Sequence, residues 1–176
     1  MKPSQFFHHC PRCGVRQANP PAGNVFTCAA CGFTLYFSSA NATAAFVQRD
    51  DGKTLFIRRA KEPAKGKLAP PGGFIDVGET AEQGVRREIR EEVGLEITDL
   101  KFLCSQPNSY LYKDITYPVL DFFFTTRAVF AESARALDDV ASFCWLEPEQ
   151  VSPEDIAFPS MRAALACWLA QRRTGS

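Results

Sequence analysis

Two short apolar runs in the first third of the chain have the composition of β-strands. Residues 43–49 and 53–59 are rich in aliphatic and aromatic side chains, and Asp50-Asp51-Gly52 lies between them. Because Asp-Gly sequences favour tight turns, this pattern predicts a β-hairpin. The stretch that follows, residues 60–73, is rich in proline, glycine and lysine and predicts a loop.

Apolar positions then recur with helical spacing. Thr80 is followed three residues later by Gln83, which is the pattern of a capping box, and Gly94 supplies a stop for a helix that begins at Thr80. Further segments have strand or helix patterns. The predicted strands are 96–104, 108–113, 115–127 and 140–146, and the predicted last helix is 160–173, capped by Ser160. Strands mixed with two helices favour an α+β or α/β sandwich.

The first predicted helix carries acidic residues on its apolar side. Its apolar stripe consists of Ala81, Val85, Ile89 and Val93. At about 100° per residue, Glu92 falls inside that stripe, Glu88 at its edge and Glu91 just beyond it. Carboxylates at this spacing suit hard cations such as Mg²⁺ or Mn²⁺. Ordinary surface ion pairs with Arg87 and Arg90 are the alternative interpretation of the same residues.

Four of the seven cysteines form two C-x-x-C pairs, and each pair is followed by a glycine. These are Cys10, Cys13, Cys28 and Cys31. Two such turns can offer four thiolates to one ion, so the spacing predicts a closed, structural Zn²⁺ site. Buried redox-inert pairs, reversible disulfides and an iron site are the alternatives. The other three cysteines are predicted to be small buried hydrophobic residues.

Composition narrows the classes of protein. The chain has 176 residues, 45% of them hydrophobic and 23% charged, which is ordinary for a globular protein. The formal net charge of zero gives no support to bulk attraction to nucleic acid or anionic lipid. No apolar run spans a bilayer and no secretory signal pattern opens the chain, so we expect a cytoplasmic protein without a membrane partner. We expect two domains, a zinc ribbon at residues 1–38 and a larger domain at 39–176.

One motif in the larger domain is far more specific than composition. The pattern G-x5-E-x7-R-E-U-x-E-E-x-G-U, where U is a large aliphatic residue, matches at every position. The matching residues are Gly73, Glu79, Arg87, Glu88, Ile89, Glu91, Glu92, Gly94 and Leu95. A chance match in a chain of this length has a probability on the order of 10⁻⁷. The segment resembles the Nudix box, and the resemblance implies an α/β/α sandwich around a mixed sheet.

The resemblance also implies the chemistry of the site. Nudix hydrolases cleave nucleoside diphosphates linked to another moiety, with Mg²⁺ or Mn²⁺ as cofactor. The implied catalytic residues are Glu79, Arg87, Glu88, Glu91 and Glu92. Glu88, Glu91 and Glu92 would be the metal ligands, joined by the backbone carbonyl of Gly72. Glu79 and Arg87 would orient these acids.

The general base is open at this point. In several members of the family it lies in a loop before the last helix. That stretch here contains Asp138, Asp139, Glu147 and Glu149. A glutamate of the box, Glu91 or Glu92, is the alternative base.

A short fragment after the box bears on the substrate. Ser105-Gln106-Pro107 is similar to the start of the S-Q-P-W-P-F-P-x-S motif of the NADH pyrophosphatase branch, which also carries a zinc ribbon. The chain departs from that motif at Asn108–Tyr112. The substrate-binding candidates are Gln106, Asn108, Tyr110 and Tyr112. A strand end for the fragment, and sheet packing or a dimer face for the tyrosines, are the alternatives.

Two functions from different classes remain. The first is a pyrophosphatase acting on an NADH- or ADP-ribose-like nucleotide, which releases a nucleoside monophosphate and a phosphorylated partner. Its branch also implies a homodimer. The second is a non-catalytic module that senses a nucleotide and binds nucleic acid through the zinc ribbon. Nucleic acid is otherwise not expected as a partner, except RNA that carries a nicotinamide-dinucleotide cap.

Overall fold

A computed structural model describes residues 2–174, and the chain divides into two compact units. The smaller unit contains the chain up to Ala40 together with Ser109–Val119. The larger unit contains Asn41–Asn108 and the chain from Leu120 onward. The expected division into a zinc ribbon at residues 1–38 and a larger domain at 39–176 stays a prediction. Among the described residues, neither helix has the length and apolar character needed to cross a membrane.

The smaller unit has little regular structure. Strands β1 (Val25–Thr27) and β2 (Thr34–Tyr36) form an antiparallel pair. Its buried apolar core consists of Cys10, Phe26 and Cys28, with four partly buried aromatic and aliphatic side chains around it. A core of this size contributes little free energy of folding.

The larger unit is built on a seven-stranded sheet. Its strands are β3 (Ala40–Gln48), β4 (Thr54–Arg59), β5 (Leu68–Ala69), β6 (Gly72–Phe74), β7 (Ile97–Tyr112), β8 (Ile115–Ala128) and β9 (Val140–Leu146). The strand order is β5-β4-β3-β8-β7, with β6 paired to β3 and β9 paired to β4. The helices are α1 (Ala81–Val93) and α2 (Pro159–Thr174).

Each face of the sheet is covered by one helix. Along β3, Ala45 and Val47 join the buried cluster that contains Val85, Ile89 and Val93 of α1. The alternate residues Ala44 and Phe46 join the cluster that contains Ala164, Leu165 and Trp168 of α2. Alternation along the strand therefore sends neighbouring side chains into opposite cores. The expected α/β/α sandwich is confirmed.

Three local predictions were wrong in instructive ways. The predicted loop 60–73 contains the short strands β5 and β6. The two strands expected at 96–104 and 108–113 are one strand, β7. Pro107 does not interrupt β7 because this strand lies at the edge of the sheet, where a missing N–H costs no ladder bond. Ser160 is not the cap of α2, since the helix already begins at Pro159.

Candidate active site

Helix α1 is fixed at both ends by its own sequence. The Gln83 N–H donates to Thr80 Oγ1 at 3.2 Å, and the Thr80 N–H donates to Gln83 Oε1 at 2.8 Å. Gly94 ends the helix with φ at 66°, in the left-handed region that glycine tolerates best. The predicted capping box and stop are therefore confirmed, and they set the rotation of the acidic side chains.

Arg87 is the centre of the acidic network. Its guanidinium donates to both oxygens of Glu79, at 3.0 and 2.9 Å, and to Glu88 Oε1 at 2.8 Å. It also donates to Glu91 Oε2 at 3.0 Å and to the Phe74 carbonyl at 2.9 Å. One cation thus holds three carboxylates. Together with Glu92, these three acids form what we call the glutamate cluster.

The pKa values in this cluster follow from these contacts. The hydrogen bonds from Arg87 hold the pKa of the Glu79 carboxyl below its ordinary value. Burial raises the pKa of Glu88, and the hydrogen bond from Arg87 opposes that rise.

The side chain of Glu91 is 52% exposed. The order of burial along α1 agrees with the order predicted from its helical wheel.

Glu92 is the most enclosed acid of α1. It is 8% exposed, and its Oε2 accepts a hydrogen bond of 2.9 Å from the Gly72 N–H. Burial raises its pKa to about 8, against the lowering effect of that hydrogen bond. The negative charges of Glu88 and Asp138 raise it further, while the positive charge of Arg59 lowers it. A buried carboxylate among other acids is stabilised by a nearby cation.

The two glycines of β6 are required by close contacts. Gly72 has φ at 151°, and a Cβ atom there would lie 2.1 Å from the Thr43 carbonyl oxygen. A Cβ atom on Gly73 would lie 2.6 Å from the Glu88 carboxylate. Strand β6 therefore approaches both β3 and the acids of α1 as closely as a backbone can. The role of the Gly72 carbonyl as a metal ligand stays a prediction.

The acids of α1 suit a divalent cation in their chemistry. Carboxylate oxygens are the donors that Mg²⁺ and Mn²⁺ prefer, and Glu92 is buried without an arginine of its own. Their side chains do not converge on one point, however, because Arg87 holds Glu88 and Glu91. Within residues 2–174, only the four cysteines form a group of three or more ligand side chains whose ligand atoms are all mutually close.

The candidate general bases lie in different surroundings. The Leu137 N–H donates to the Glu92 carbonyl at 2.9 Å, which brings Asp138 beside α1. Asp139 forms an ion pair with Lys61. Glu149 forms an ion pair of 2.9 Å with Arg172 of α2. Glu147 precedes the short 3₁₀ helix Pro148–Gln150. Of the four, Asp138 is thus the acid whose charge acts on the glutamate cluster.

The substrate-binding candidates are not gathered in one unit. Gln106 and Asn108 belong to the larger unit, whereas Tyr110 and Tyr112 belong to the smaller one. The Asn108 amide donates to Asp121 Oδ2 at 2.9 Å, and the Ser160 hydroxyl donates to the same oxygen at 2.6 Å. Asn108 therefore takes part in a buried polar network, a role that its place in the sequence did not indicate.

The four cysteines of the smaller unit form the cysteine cluster. Their sulfur atoms all lie within 4.8 Å of one another. Cys10 and Cys31 are 3.7 Å apart, as are Cys13 and Cys28, and all four thiols are free. This separation is far longer than a disulfide bond and close to the roughly 3.8 Å edge of a tetrahedron with Zn–S bonds of about 2.3 Å. The geometry is compatible with the expected zinc ribbon.

The sequence profile of the NUDIX domain matches residues 39–168. The chain belongs to the NUDIX family. That match contains β6, α1 and the whole glutamate cluster, so the site described above lies within the family's domain. The expected family and the expected class of enzyme, a Nudix hydrolase, are confirmed.

The chain is similar to curated proteins named as nucleotide pyrophosphatases and as a hydrolase of NAD-capped RNA. An ADP-ribose pyrophosphatase of Methanocaldococcus jannaschii is 46% identical over 63 residues, which is 36% of this chain and 37% of the relative. The NAD-capped RNA hydrolase NudC of Pseudomonas aeruginosa is 33% identical over 97 residues, which is 55% of this chain and 34% of the relative. A mitochondrial NAD(P)H pyrophosphatase of Homo sapiens, NUDT13, is also 33% identical over 97 residues, which is 55% of this chain and 27% of the relative. The chain therefore spans about a third of these relatives.

Solved structures confirm the fold. A NUDIX hydrolase from Nitrosomonas europaea has a TM-score of 0.71 and 20% identity, and the match covers 100% of this chain and 94% of the other. An Ap4A hydrolase of C. elegans has a TM-score of 0.62 and 19% identity, and the match covers 77% of this chain and 98% of the other.

Proposed function

We propose that the protein is a Mg²⁺- or Mn²⁺-dependent pyrophosphatase that acts on an NADH- or ADP-ribose-like nucleotide. It would release a nucleoside monophosphate and a phosphorylated partner. The observation that carries this proposal is the glutamate cluster: buried Glu92 bonded to the Gly72 amide, beside acids that Arg87 holds in place. The names of the curated relatives support the same class of substrate.

Each residue of the cluster has a proposed task. Glu88, Glu91 and Glu92, with the Gly72 carbonyl, would hold the divalent cation. When bound, such a cation neutralises the phosphates and lowers the pKa of a bound water. Arg87 and Glu79 orient the ligands through the hydrogen bonds described above. Without these bonds, the neighbouring carboxylates would repel one another.

We assign the general base to Asp138. The backbone bond from Leu137 to the Glu92 carbonyl places this acid beside the glutamate cluster, and it would accept a proton from the attacking water there. The ion pairs of Asp139 with Lys61 and of Glu149 with Arg172 hold those two acids to other partners. An Asp138→Asn variant that retains more than a tenth of the wild-type kcat contradicts the assignment.

We propose further that the cysteine cluster holds a structural Zn²⁺. Four thiolates complete a tetrahedral site and leave no open position for a substrate. The backbone N–H groups of Cys31 and Ala30 lower the pKa of the Cys28 thiol, whereas the neighbouring thiols raise the pKa of Cys31. A bound cation would hold all four cysteines as thiolates. The homodimer implied by the resemblance and the cytoplasmic location expected from the sequence stay predictions.

A substrate screen tests the function directly. The purified protein is incubated with Mg²⁺ or Mn²⁺ and with NADH, NAD⁺, ADP-ribose, FAD, nucleoside triphosphates or NAD-capped RNA, and the products are identified by mass spectrometry. We expect cleavage of the diphosphate of an NADH- or ADP-ribose-like compound, and its loss on addition of EDTA. Failure to cleave every compound in the panel contradicts the proposal and favours a nucleotide-sensing module.

A further inference from the structure

Arg59 stands at the end of β4, where the regular pairing with β9 breaks. The register between the two strands shifts between Arg58 and Arg59, and Arg59 pairs with Val140. A β-bulge of this kind redirects the side chain that follows it. Val140 is the first residue of β9 and lies two residues after Asp138. Arg59 is therefore at the end of the sheet where the segment that contains Asp138 enters β9.

The guanidinium of Arg59 is held from two sides. Its Nε donates to the Pro63 carbonyl at 2.9 Å. Its Cζ lies 5.1 Å from the centre of the Phe158 ring. Phe158 is only 8% exposed, so the ring that supports the guanidinium is itself fixed by packing. Such a stack orients the plane of an arginine while leaving its edge free for hydrogen bonds.

The terminal nitrogens of Arg59 have no partner in the part of the chain that the structure describes. The bond to Pro63 uses Nε, and no described acceptor pairs with either Nη atom. Arg87 is the contrast, because its nitrogens are all engaged by carboxylates and a carbonyl. The side chain of Arg59 is half-buried, so its unused donors are those of an ordered group rather than of a mobile surface arginine.

The surroundings of Arg59 indicate what it binds. Arg59 pairs with Val140, and the Leu137 N–H three residues earlier donates to the Glu92 carbonyl at 2.9 Å, so Arg59 lies beside the segment that contacts the end of α1. Yet no carboxylate forms an ion pair with Arg59 among residues 2–174. An arginine that is held in place and has two unused terminal nitrogens suits an anion. Because it lies beside acids that suit a divalent cation, we expect an anion that such a cation also contacts. A phosphate group has this property, and its oxygens accept two parallel bonds from a guanidinium.

We propose that Arg59 binds a phosphate group of the nucleotide substrate, and that Phe158 and the Pro63 carbonyl fix its guanidinium in the required plane. This inference rests on the proposed function, because it assigns a binding residue to the same substrate. It makes Arg59 a determinant of substrate affinity that lies outside the Nudix box and outside the predicted set of site residues.

Steady-state kinetics of four variants test the role of Arg59. We expect Arg59→Gln to raise KM by roughly 10- to 100-fold, the size of one or two lost charged hydrogen bonds, with kcat within about threefold. Arg59→Lys keeps the charge without the fork and should give an intermediate KM. Phe158→Leu should raise KM less than Arg59→Gln. Arg127→Ala removes an exposed arginine that pairs with Asp50 and should leave KM unchanged.

Binding measured without turnover separates this inference from the proposed function. ADP with Mg²⁺ is titrated into the wild type and into Arg59→Gln by calorimetry, and thermal unfolding of both is recorded. A Kd at least about tenfold weaker, with an unchanged Tm, supports phosphate binding even if no compound of the substrate screen is cleaved. Equal Kd values, or no ADP binding by the wild type, overturn the inference. So does a variant that loses kcat and Tm while its KM is unchanged.

Discussion

In the smaller unit four sulfur atoms lie within 4.8 Å of one another, whereas the acids of α1 in the larger unit are spread around Arg87 and the Gly72 amide. Among the described residues, the buried apolar core around the cysteine cluster consists of Cys10, Phe26 and Cys28. Behind the glutamate cluster, the face of the sheet under α1 carries a buried core of a dozen residues that includes Val85, Ile89 and Val93.

The difference shows how a fold and a set of ligands depend on each other. Where burial alone gives little free energy of folding, the ligand residues have to hold the chain together, and the metal becomes part of the fold. Where the core is large, the fold can hold acids in an unfavourable arrangement. In the proposed function that arrangement is useful, because it would leave carboxylate oxygens available to a divalent cation beside the substrate.

The largest expected effect concerns the cysteine cluster. Cys13→Ser should unfold the smaller unit, because structural Zn²⁺ contributes on the order of 10 kcal/mol or more in small modules. Hydrogen exchange of the chain up to Ala40 and the zinc content of the purified protein measure this effect. The control is Cys167→Ser, which changes a cysteine outside the cluster. Normal protection of the variant, or a zinc-free wild type that is well folded, contradicts a metal-dependent unit.

The glutamate cluster should respond in the opposite way, with loss of activity and no loss of fold. Glu91→Gln removes a proposed metal ligand whose side chain is 52% exposed, so its Tm should be unchanged. We expect kcat to fall roughly 100- to 1000-fold, since metal ions contribute several kcal/mol to such reactions. Glu96→Gln, which removes an exposed acid paired with Arg90, is the control. Activity within tenfold of the wild type would show that Glu91 is not a ligand.

A smaller effect is expected where the backbone approaches the acids. Gly73→Ala places a Cβ atom 2.6 Å from the Glu88 carboxylate, so that side chain has to move. Displacing one ligand should lower kcat/KM by about 10- to 100-fold, as changes next to metal ligands do. Gly23→Ala, at a position with open space, should leave kcat/KM unchanged. An active Gly73→Ala enzyme would exclude Glu88 from the metal site.

The smallest effect concerns a buried acid that the proposed chemistry does not use. Burial raises the pKa of Asp121, against the hydrogen bonds from Ser160 and Asn108. Because the pKa of Asp121 is higher in the folded chain than in the unfolded chain, ionisation of this carboxyl favours the unfolded state. The free energy of unfolding therefore falls as the pH rises from the unfolded pKa through the folded pKa. Asp121→Asn does not titrate. Its Tm should therefore exceed that of the wild type by roughly 2–4 °C at pH 8, the shift for about 1 kcal/mol.

The Asp121→Asn advantage in Tm should shrink as the pH falls and disappear near pH 3, below the ordinary pKa of an aspartate, where the wild-type carboxyl is largely protonated in both states. A melting series from pH 3 to pH 8 gives the difference directly. Ser160→Ala is a useful companion variant, because it removes one hydrogen bond and leaves the titrating group. If Asp121→Asn is less stable than the wild type at pH 8, the ionised carboxylate is better stabilised than its burial implies.

Local sequence information was sufficient for α1 and for the identity of the acids. The capping box of Thr80 and Gln83 and the stop at Gly94 are interactions within a few residues, so the chain around them determines them. The spacing of Glu88, Glu91 and Glu92 likewise placed them correctly relative to the apolar stripe. The cysteine spacing predicted a four-sulfur cluster for the same reason, since each pair forms its own turn.

Other features depend on residues that are distant in the sequence. Pro107 lies within β7 because that strand is at the sheet edge, and no local pattern states which strand will be there. The hydroxyl of Ser160 bonds to Asp121 instead of capping α2, which follows from the packing of α2 on the sheet. The sequence analysis did not select Arg59 for the same reason. The ring that supports its guanidinium belongs to Phe158, which is distant in the sequence.

The sequence by itself determined the family, the residues of the cysteine cluster and of the glutamate cluster, and the helix that carries the acids. These depend on residue identity and short-range hydrogen bonds, which are the same wherever the segment is placed. Only the tertiary structure decided that Glu92 is buried against the Gly72 amide and that Asp138 lies beside α1. It also decided that, among the described residues, the terminal nitrogens of Arg59 have no partner. Burial and charge pairing arise when distant segments meet, and those contacts set both the pKa values and the partners of the site.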